Sequence, residues 1–349
     1  MTHLRRPART LIAGLATAGL LLALPAAASA AVPDYDYASP LFGLATAPDG
    51  SLLVADSGAG IVELRHGVGS LVAELPGVTD VAPLGRGNMW ALTSFGDGWL
   101  YRVSRGGAKK VANISAFEAA VNPDGAQIDS NPFDVAALSG GSALVADAAA
   151  NAIVVADAGG NVDWVATLPS EVVSTSNLQS LLGCPDVPAE FADELGFICG
   201  VPFMPAEAVP TSVAIGPDGA YYVGELKGFP APAGASRIWR IEPGTRHADC
   251  GTSSACSVVA DGFTSIIDLN FGPDGTLYVT ELDESSWAAV EILADGSGGT
   301  VNACDFDSWS CSEVATGLPI PTATTVADGT LYASILALVP GAAQVVPLS

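Results

Sequence analysis

The sequence predicts an all-β fold, a six-bladed β-propeller with four-stranded blades, and three observations carry that prediction. One hairpin recurs along the chain: SVAIGPDGAYYVGEL at 212–226 returns at 44–57, 269–282 and 324–336, and more loosely at 81–94 and 135–148. Most copies are followed by two further strand-like runs, so a repeat holds four short strands in roughly fifty residues, as a propeller blade does. The last repeat lacks a strand, which the alternating stretch VPDYDYAS at 32–39 can supply as an outer strand, closing the ring and covering its edge.

Residues 1–30 stand apart from the repeats. Arg5, Arg6 and Arg9 precede an apolar run at 11–24, and Ala28-Ser29-Ala30 forms a small-residue cleavage site. An apolar run of roughly fourteen residues is too short to span a bilayer, so a cleaved signal peptide is expected and a membrane anchor is not. Residues 31–349 then form a single propeller domain in an extracellular protein. That mature chain has ten basic residues against thirty-seven acidic ones. Such a field repels phosphate backbones and anionic lipid, which argues against nucleic-acid and membrane-surface partners. It also keeps an apolar, Ala-rich protein dissolved, most simply as a monomer.

Blade one reads as 41–47, 51–56, 60–65 and 70–75, and blade two as 79–84, 88–94, 99–104 and 109–113. The connector that follows starts with Ser115 and Glu118 at capping-box spacing and ends in the turn-rich NPDGAQIDSNP at 122–132. Blade three is 133–138, 142–148, 152–157 and 161–168. An insertion at about 169–209 carries two helical turns, around 178–182 and 189–195, and no strand pattern; a segment this long is usually functional or a lid. Blade four is 211–216, 220–226, 237–242 and 256–260, with a Gly/Pro-rich loop at 227–236. Blade five is 266–272, 276–282, 287–293 and 311–316, and blade six is 322–326, 330–335 and 343–347. In each Pro-Asp-Gly hairpin the proline presets φ and the glycine tolerates the left-handed closing residue.

Six cysteines in an exported chain suggest disulfides. Their clustering favours three local bridges, Cys184–Cys199, Cys250–Cys256 and Cys304–Cys311. His247 beside Cys250 raises a zinc site as the rival, but no Cys-x-x-Cys spacing and no fourth ligand accompany it.

A propeller's first strand descends along the central channel and its second returns, so the Pro-Asp-Gly turns share the lower face. The upper face collects the starts of the first strands (Asp80, Asp134, Ser212, Asp268, Thr322) and the ends of the second (Asp56, Ser94, Asp147, Glu225, Glu281, Ser334). Of these, Asp80, Asp134, Asp147, Glu225, Asp268 and Glu281 form a candidate metal set, Ca²⁺ above all, because hard cations take several oxygen ligands. The same carboxylates can instead cap backbone N–H groups of neighbouring blades and bind no metal. Asp305-Phe-Asp307 starts like a calcium loop, but Trp309 stands where a third ligand belongs, and Asn113-Ile-Ser115 fits a glycosylation acceptor. No Gly-x-Ser-x-Gly is present, and His66 and His247 are the only histidines after residue 30, which disfavours a hydrolase elbow, a Ser-His-Asp triad and a three-histidine zinc site. Trp90, Trp99, Trp164, Trp239 and Trp287 fall in predicted strands, where packing between blades is their ordinary role.

The runs SAFEAAVNPDGAQIDSNPFDVAAL (115–138), VPTSVAIGPDGAYYVGELKGFPAPAGASRIWRI (209–241) and GFTSIIDLNFGPDGTLYVTEL (262–282) resemble the ScyD/ScyE family. That family is named for the scytonemin-biosynthesis cluster of cyanobacteria and has secreted relatives in actinobacteria. The resemblance covers essentially the whole mature chain and implies a six-bladed propeller of the NHL and strictosidine-synthase/lactonase type; it brings no catalytic residues. This chain departs from it in the cysteine-stapled insert and in the turns of blades two and three. The function expected is a non-catalytic scaffold that presents the upper face of its channel to a small molecule or a protein. The alternative is a metal-dependent hydrolase of the lactonase type, with Asp134, Asp268, Glu225 or Glu281 as base and Asn131 the one amide near the mouth.

Overall fold

The computed structural model describes residues 35–94 and 97–348. The expected signal peptide and residues 32–34 lie outside them. Six antiparallel sheets surround a central channel. Their first strands are Leu41–Thr46, Val78–Gly85, Pro132–Ala137, Pro210–Ile215, Ile266–Phe271 and Thr324–Ala327. The second strands are Leu52–Asp56, Asn88–Thr93, Ala143–Asp147, Tyr221–Glu225, Leu277–Glu281 and Thr330–Ile335. Blades one, two, four and five have four strands, and blade three gains a short parallel fifth, Ala248–Asp249. Inter-blade apolar clusters hold the ring: for example, Leu53, Ile61, Val81 and Met89 join blades one and two, and Val301, Leu318, Ala333 and Ile335 join five and six. Burial of such surface is the dominant favourable term in folding.

The turns form as expected. Gly50, Gly219 and Gly275 take φ of 85°, 79° and 90°, and Asp49, Asp218 and Asp274 each accept from the backbone N–H two residues on. That is the Asx-turn chemistry of Pro-Asp-Gly. Five of the six first strands carry a register shift near their upper end, as at Leu41/Gly43, Val78/Asp80 and Ile266/Asp268. A bulge there re-aims one residue per blade toward the channel mouth.

Three expectations are corrected. Residues 35–40 form no strand, and the last sheet has three strands among the described residues. The segment crosses the seam instead. Asp56 captures Ala38 N at 2.8 Å, Tyr35 lies on Gly69, and Tyr37 packs among Leu52, Leu64, Ala323 and Val345. Closure comes from the first strands: Leu41 N donates to Ala337 O (2.9 Å) and Thr322 Oγ1 to Leu41 O (2.7 Å). The run 287–293 is not a strand; Trp287–Glu291 is a helix, and the third strand of blade five is Gly299–Cys304. Trp287 N donates to Ser265 Oγ and its Nε1 to Lys227 O, so side-chain and loop contacts fix a turn that Ala288 and Ala289 accept readily. Helix α1 (Ile114–Val121) is capped by Asn113, whose Oδ1 accepts from Ala116 N at 2.8 Å; Ser115 bonds Ser130 instead. Asn113 is therefore a helix cap in the folded chain.

All three expected disulfides are present. Cys184–Cys199 staples the insertion, whose helices α2 (Ser176–Leu181) and α3 (Ala189–Leu195) fall where the pattern placed them. The insertion also contains a two-stranded ladder, Glu171–Ser174 with Phe203–Ala206, which the pattern did not show.

Candidate functional site: the mouth of the central channel

The channel axis is lined by Gly43, Asp80, Asp134, Ser212 and Asp268, each just below the bulge of its first strand, and by Ala323, which immediately precedes the sixth. The last replaces Thr322 in the expected ring. Asp134 accepts from Val213 N (2.6 Å), Asp80 from Val135 N (3.0 Å) and Asp268 from Thr324 N (2.8 Å), so each aspartate ties its blade to a neighbouring first strand. Gly43 is required by close approach: a Cβ there would stand 2.1 Å from Asp80 Oδ1.

Burial raises the pKa of all three axial aspartates. Asp80 is pushed up by burial and then by the charge of Asp134, and Asp134 by burial. Burial, with the Asp134 charge second, pushes Asp268 up to about 8. One oxygen of each aspartate is already committed to a backbone N–H, which leaves the trio less free to surround a hard cation.

The acids at the second-strand ends leave the axis. Asp147 accepts from Ser130 Oγ (2.6 Å) and Asn131 N (2.7 Å). Glu225, fully buried, is raised by burial and opposed by Lys227, whose equally buried Nζ lies 2.7 Å from Glu225 and 2.9 Å from Glu171 of the insertion. Glu281 accepts from Thr264 N and from Asn302 Nδ2. It opens into an acidic groove of about 690 Å³ between the outer strands of blades four and five, beside Glu284 and Glu313. Thr93 and Ile335, rather than Ser94 and Ser334, end the remaining second strands. The six expected metal ligands thus separate into an axial trio and three locally satisfied caps. Among the described residues, no group of three or more His, Cys, Asp or Glu side chains is placed to hold a metal ion.

Above the trio lies a cavity of about 160 Å³ that sequence reasoning missed. Phe42, Phe133, Thr211, Ile267 and Thr322, the residues each preceding an axial position, line it with Leu226, Leu282, Ala148, Val209 and Leu338. Phe42 and Phe133 meet edge to face at 5.4 Å. Two polar groups reach the rim, Asn131 and Glu291. Glu291 is exposed at the rim, and the protein packed around it pushes its pKa up to about 7. The available signal was a break in alternation: LFG, PFD and IID put an apolar residue next to the axial one where a regular strand would face it away.

The roof is built from the insertion, the loop at 227–236 and α4 (Trp287–Glu291). Leu178, Leu182, Ile198, Ala231 and Ala288 form their shared core. Asn177 Nδ2 ties all three, lying 2.8–3.1 Å from Ala231 O, Ser285 O and Ser286 Oγ.

No family model matches the chain, and no curated protein matches it. Solved structures do. A Bacteroides thetaiotaomicron protein of unknown function aligns at TM-score 0.56 and 10% identity, over 89% of this chain and 69% of its own. A Xanthomonas campestris gluconolactonase aligns at 0.54 and 12%, over 90% and 88%. A Thermus thermophilus putative oxidoreductase, described as a glucose dehydrogenase, aligns at 0.52 and 16%, over 90% and 97%. At such identities the likeness speaks for the fold alone, that of a six-bladed β-propeller.

Proposed function

We propose that this chain is an exported, non-catalytic propeller of the ScyD/ScyE type that binds a small, largely apolar ligand at the mouth of its channel. The observation that carries the reading is the cavity itself. A dry cavity of about 150 Å³ walled by Leu, Ile and Phe accepts a benzene-sized group, and this one has that size and a mostly apolar wall, open at a polar rim. An aromatic ring or short branched chain enters between Phe42, Phe133, Ile267 and Leu282, and its polar end stays at the rim with Glu291 and Asn131. The axial acids below support binding over hydrolysis, since one oxygen of each already accepts from a backbone amide of a neighbouring first strand.

Fluorine NMR with fluorobenzene and 4-fluorobenzylamine tests the reading. Both should bind, and Ala148→Leu, which fills the cavity, should abolish both. The amine should gain up to about tenfold over fluorobenzene from pH 6 to pH 8, because Glu291 ionises through about 7 in that window. Absence of binding, or binding that survives Ala148→Leu, would sink the proposal.

A further inference from the structure

A second site stands on the connector between blades two and three. Glu118 lies in α1 and Asn122 is the residue that caps its C-terminal end, with Asn122 N donating to Glu118 O at 2.8 Å. Glu118 is 2% exposed, and neither its Oε1 nor Asn122 Oδ1 has a hydrogen-bond partner among the described residues. Asn122 Nδ2 donates to Ala126 O (3.0 Å), which fixes the amide and turns its oxygen the other way. Both orphans are acceptors, and a buried acceptor without a donor costs on the order of 1–3 kcal/mol. Around Glu118 stand three more acids, Asp147, Asp124 and Asp129, close enough for their charges to act on it. Among the described residues, no lysine, arginine or histidine pairs with any of these four acids.

We propose that this connector binds one Ca²⁺ ion through Glu118 Oε1, Asn122 Oδ1 and Asp129, with water completing the shell. The assignment follows from which oxygens are committed. Asp124 accepts from Ala126 N and Asn151 Nδ2, and Asp147 from Ser130 Oγ and Asn131 N. Asp129 has one side-chain partner, Gln127 Nε2 at 3.4 Å, and is the loop carboxylate with capacity left. Two carboxylates, an amide oxygen and water form an irregular all-oxygen set, which Ca²⁺ tolerates and Mg²⁺, with its strict octahedron, does not. The ion needs no cluster of three carboxylates, and its site is separate from the axial aspartates. It would brace the loop that delivers Asn131 to the channel rim.

Calorimetric titration of the chelator-treated protein with CaCl2, and separately with MgCl2, tests this. One Ca²⁺ should bind per chain, at least tenfold tighter than Mg²⁺, and raise the melting temperature. Glu118→Gln, nearly isosteric, should weaken Ca²⁺ at least tenfold; Asp129→Asn, a surface change that leaves folding intact, should weaken it severalfold. Glu313→Gln removes the same charge from the distant groove and should leave affinity unchanged. No Ca²⁺ binding by the wild type, with Glu118 taking a proton instead, overturns the proposal. So does equal loss in Glu313→Gln, which would mean diffuse attraction to an acidic surface.

Discussion

Asp268 sits at the channel axis with the N–H and Oγ1 of Thr324 as donors to one oxygen, and burial and then the Asp134 charge hold its carboxyl up to about 8. Because the folded chain holds that proton more tightly than an unfolded chain with an ordinary aspartate, folding is favoured at low pH. The contribution is fully present below about pH 4 and is lost as pH rises through about 8, at up to about 1.4 kcal/mol per unit. Asp268→Asn keeps an oxygen for Thr324 N and carries no charge. It should therefore flatten stability against pH across this window and raise stability at about pH 8, measured by urea unfolding at several pH values. A variant with the slope of the wild type would exclude Asp268 as its source. Lys227 shows the opposite solution to burial: its Nζ lies between Glu225 and Glu171, so charge is matched by charge.

Among the elements, the insertion is the most separable. Its core is its own, Leu178, Leu182 and Ile198, joined by Ala231 and Ala288 of the roof and stapled by Cys184–Cys199 across fifteen residues. A loop of that length loses roughly 3 kcal/mol of stabilisation when its bridge is removed. Cys184→Ser with Cys199→Ser should increase hydrogen exchange by about a hundredfold across α2 and α3 while the second strands of the blades stay protected. Uniform loss of protection would mean that the insertion and ring fold as one unit. The elements also show what the sequence disclosed. Hairpins and cysteine pairs were legible because turn chemistry and short loop closure are local. The strand at 299–304 was hidden by the glycines before it, and α4 was misread because its conformation is set by Ser265 and Lys227, distant in sequence. At the channel, the residue types at the axial positions could be read, but not that three acids would be buried as caps of neighbouring first strands. That depends on burial and on donors from other blades. The apolar mouth was missed because a bulge, not the alternation pattern, decides which residue faces it.

For the molecule as a whole, the charge of −24 is spread over an apolar chain with few cations to offset it. Self-repulsion of this size is screened within about 10 Å at 0.1 M salt. The melting temperature should rise by several degrees on going from about 10 mM to about 300 mM NaCl, followed by calorimetry. A flat response would show that the acids are neutralised locally, by protons or bound ions. The ring itself has an uncommon simplicity. Each described sheet is almost wholly one unbroken stretch of chain, with the two-residue Ala248–Asp249 strand as the exception, and no described strand from one end completes the blade at the other. Apart from the Ala248–Asp249 strand, which pairs with the outer strand of blade three, neighbouring described blades meet through side chains and first-strand contacts. In genetic terms each blade is therefore a cassette: a segment that could be duplicated, lost or moved to the other end of the gene without dividing a sheet between two places in the sequence.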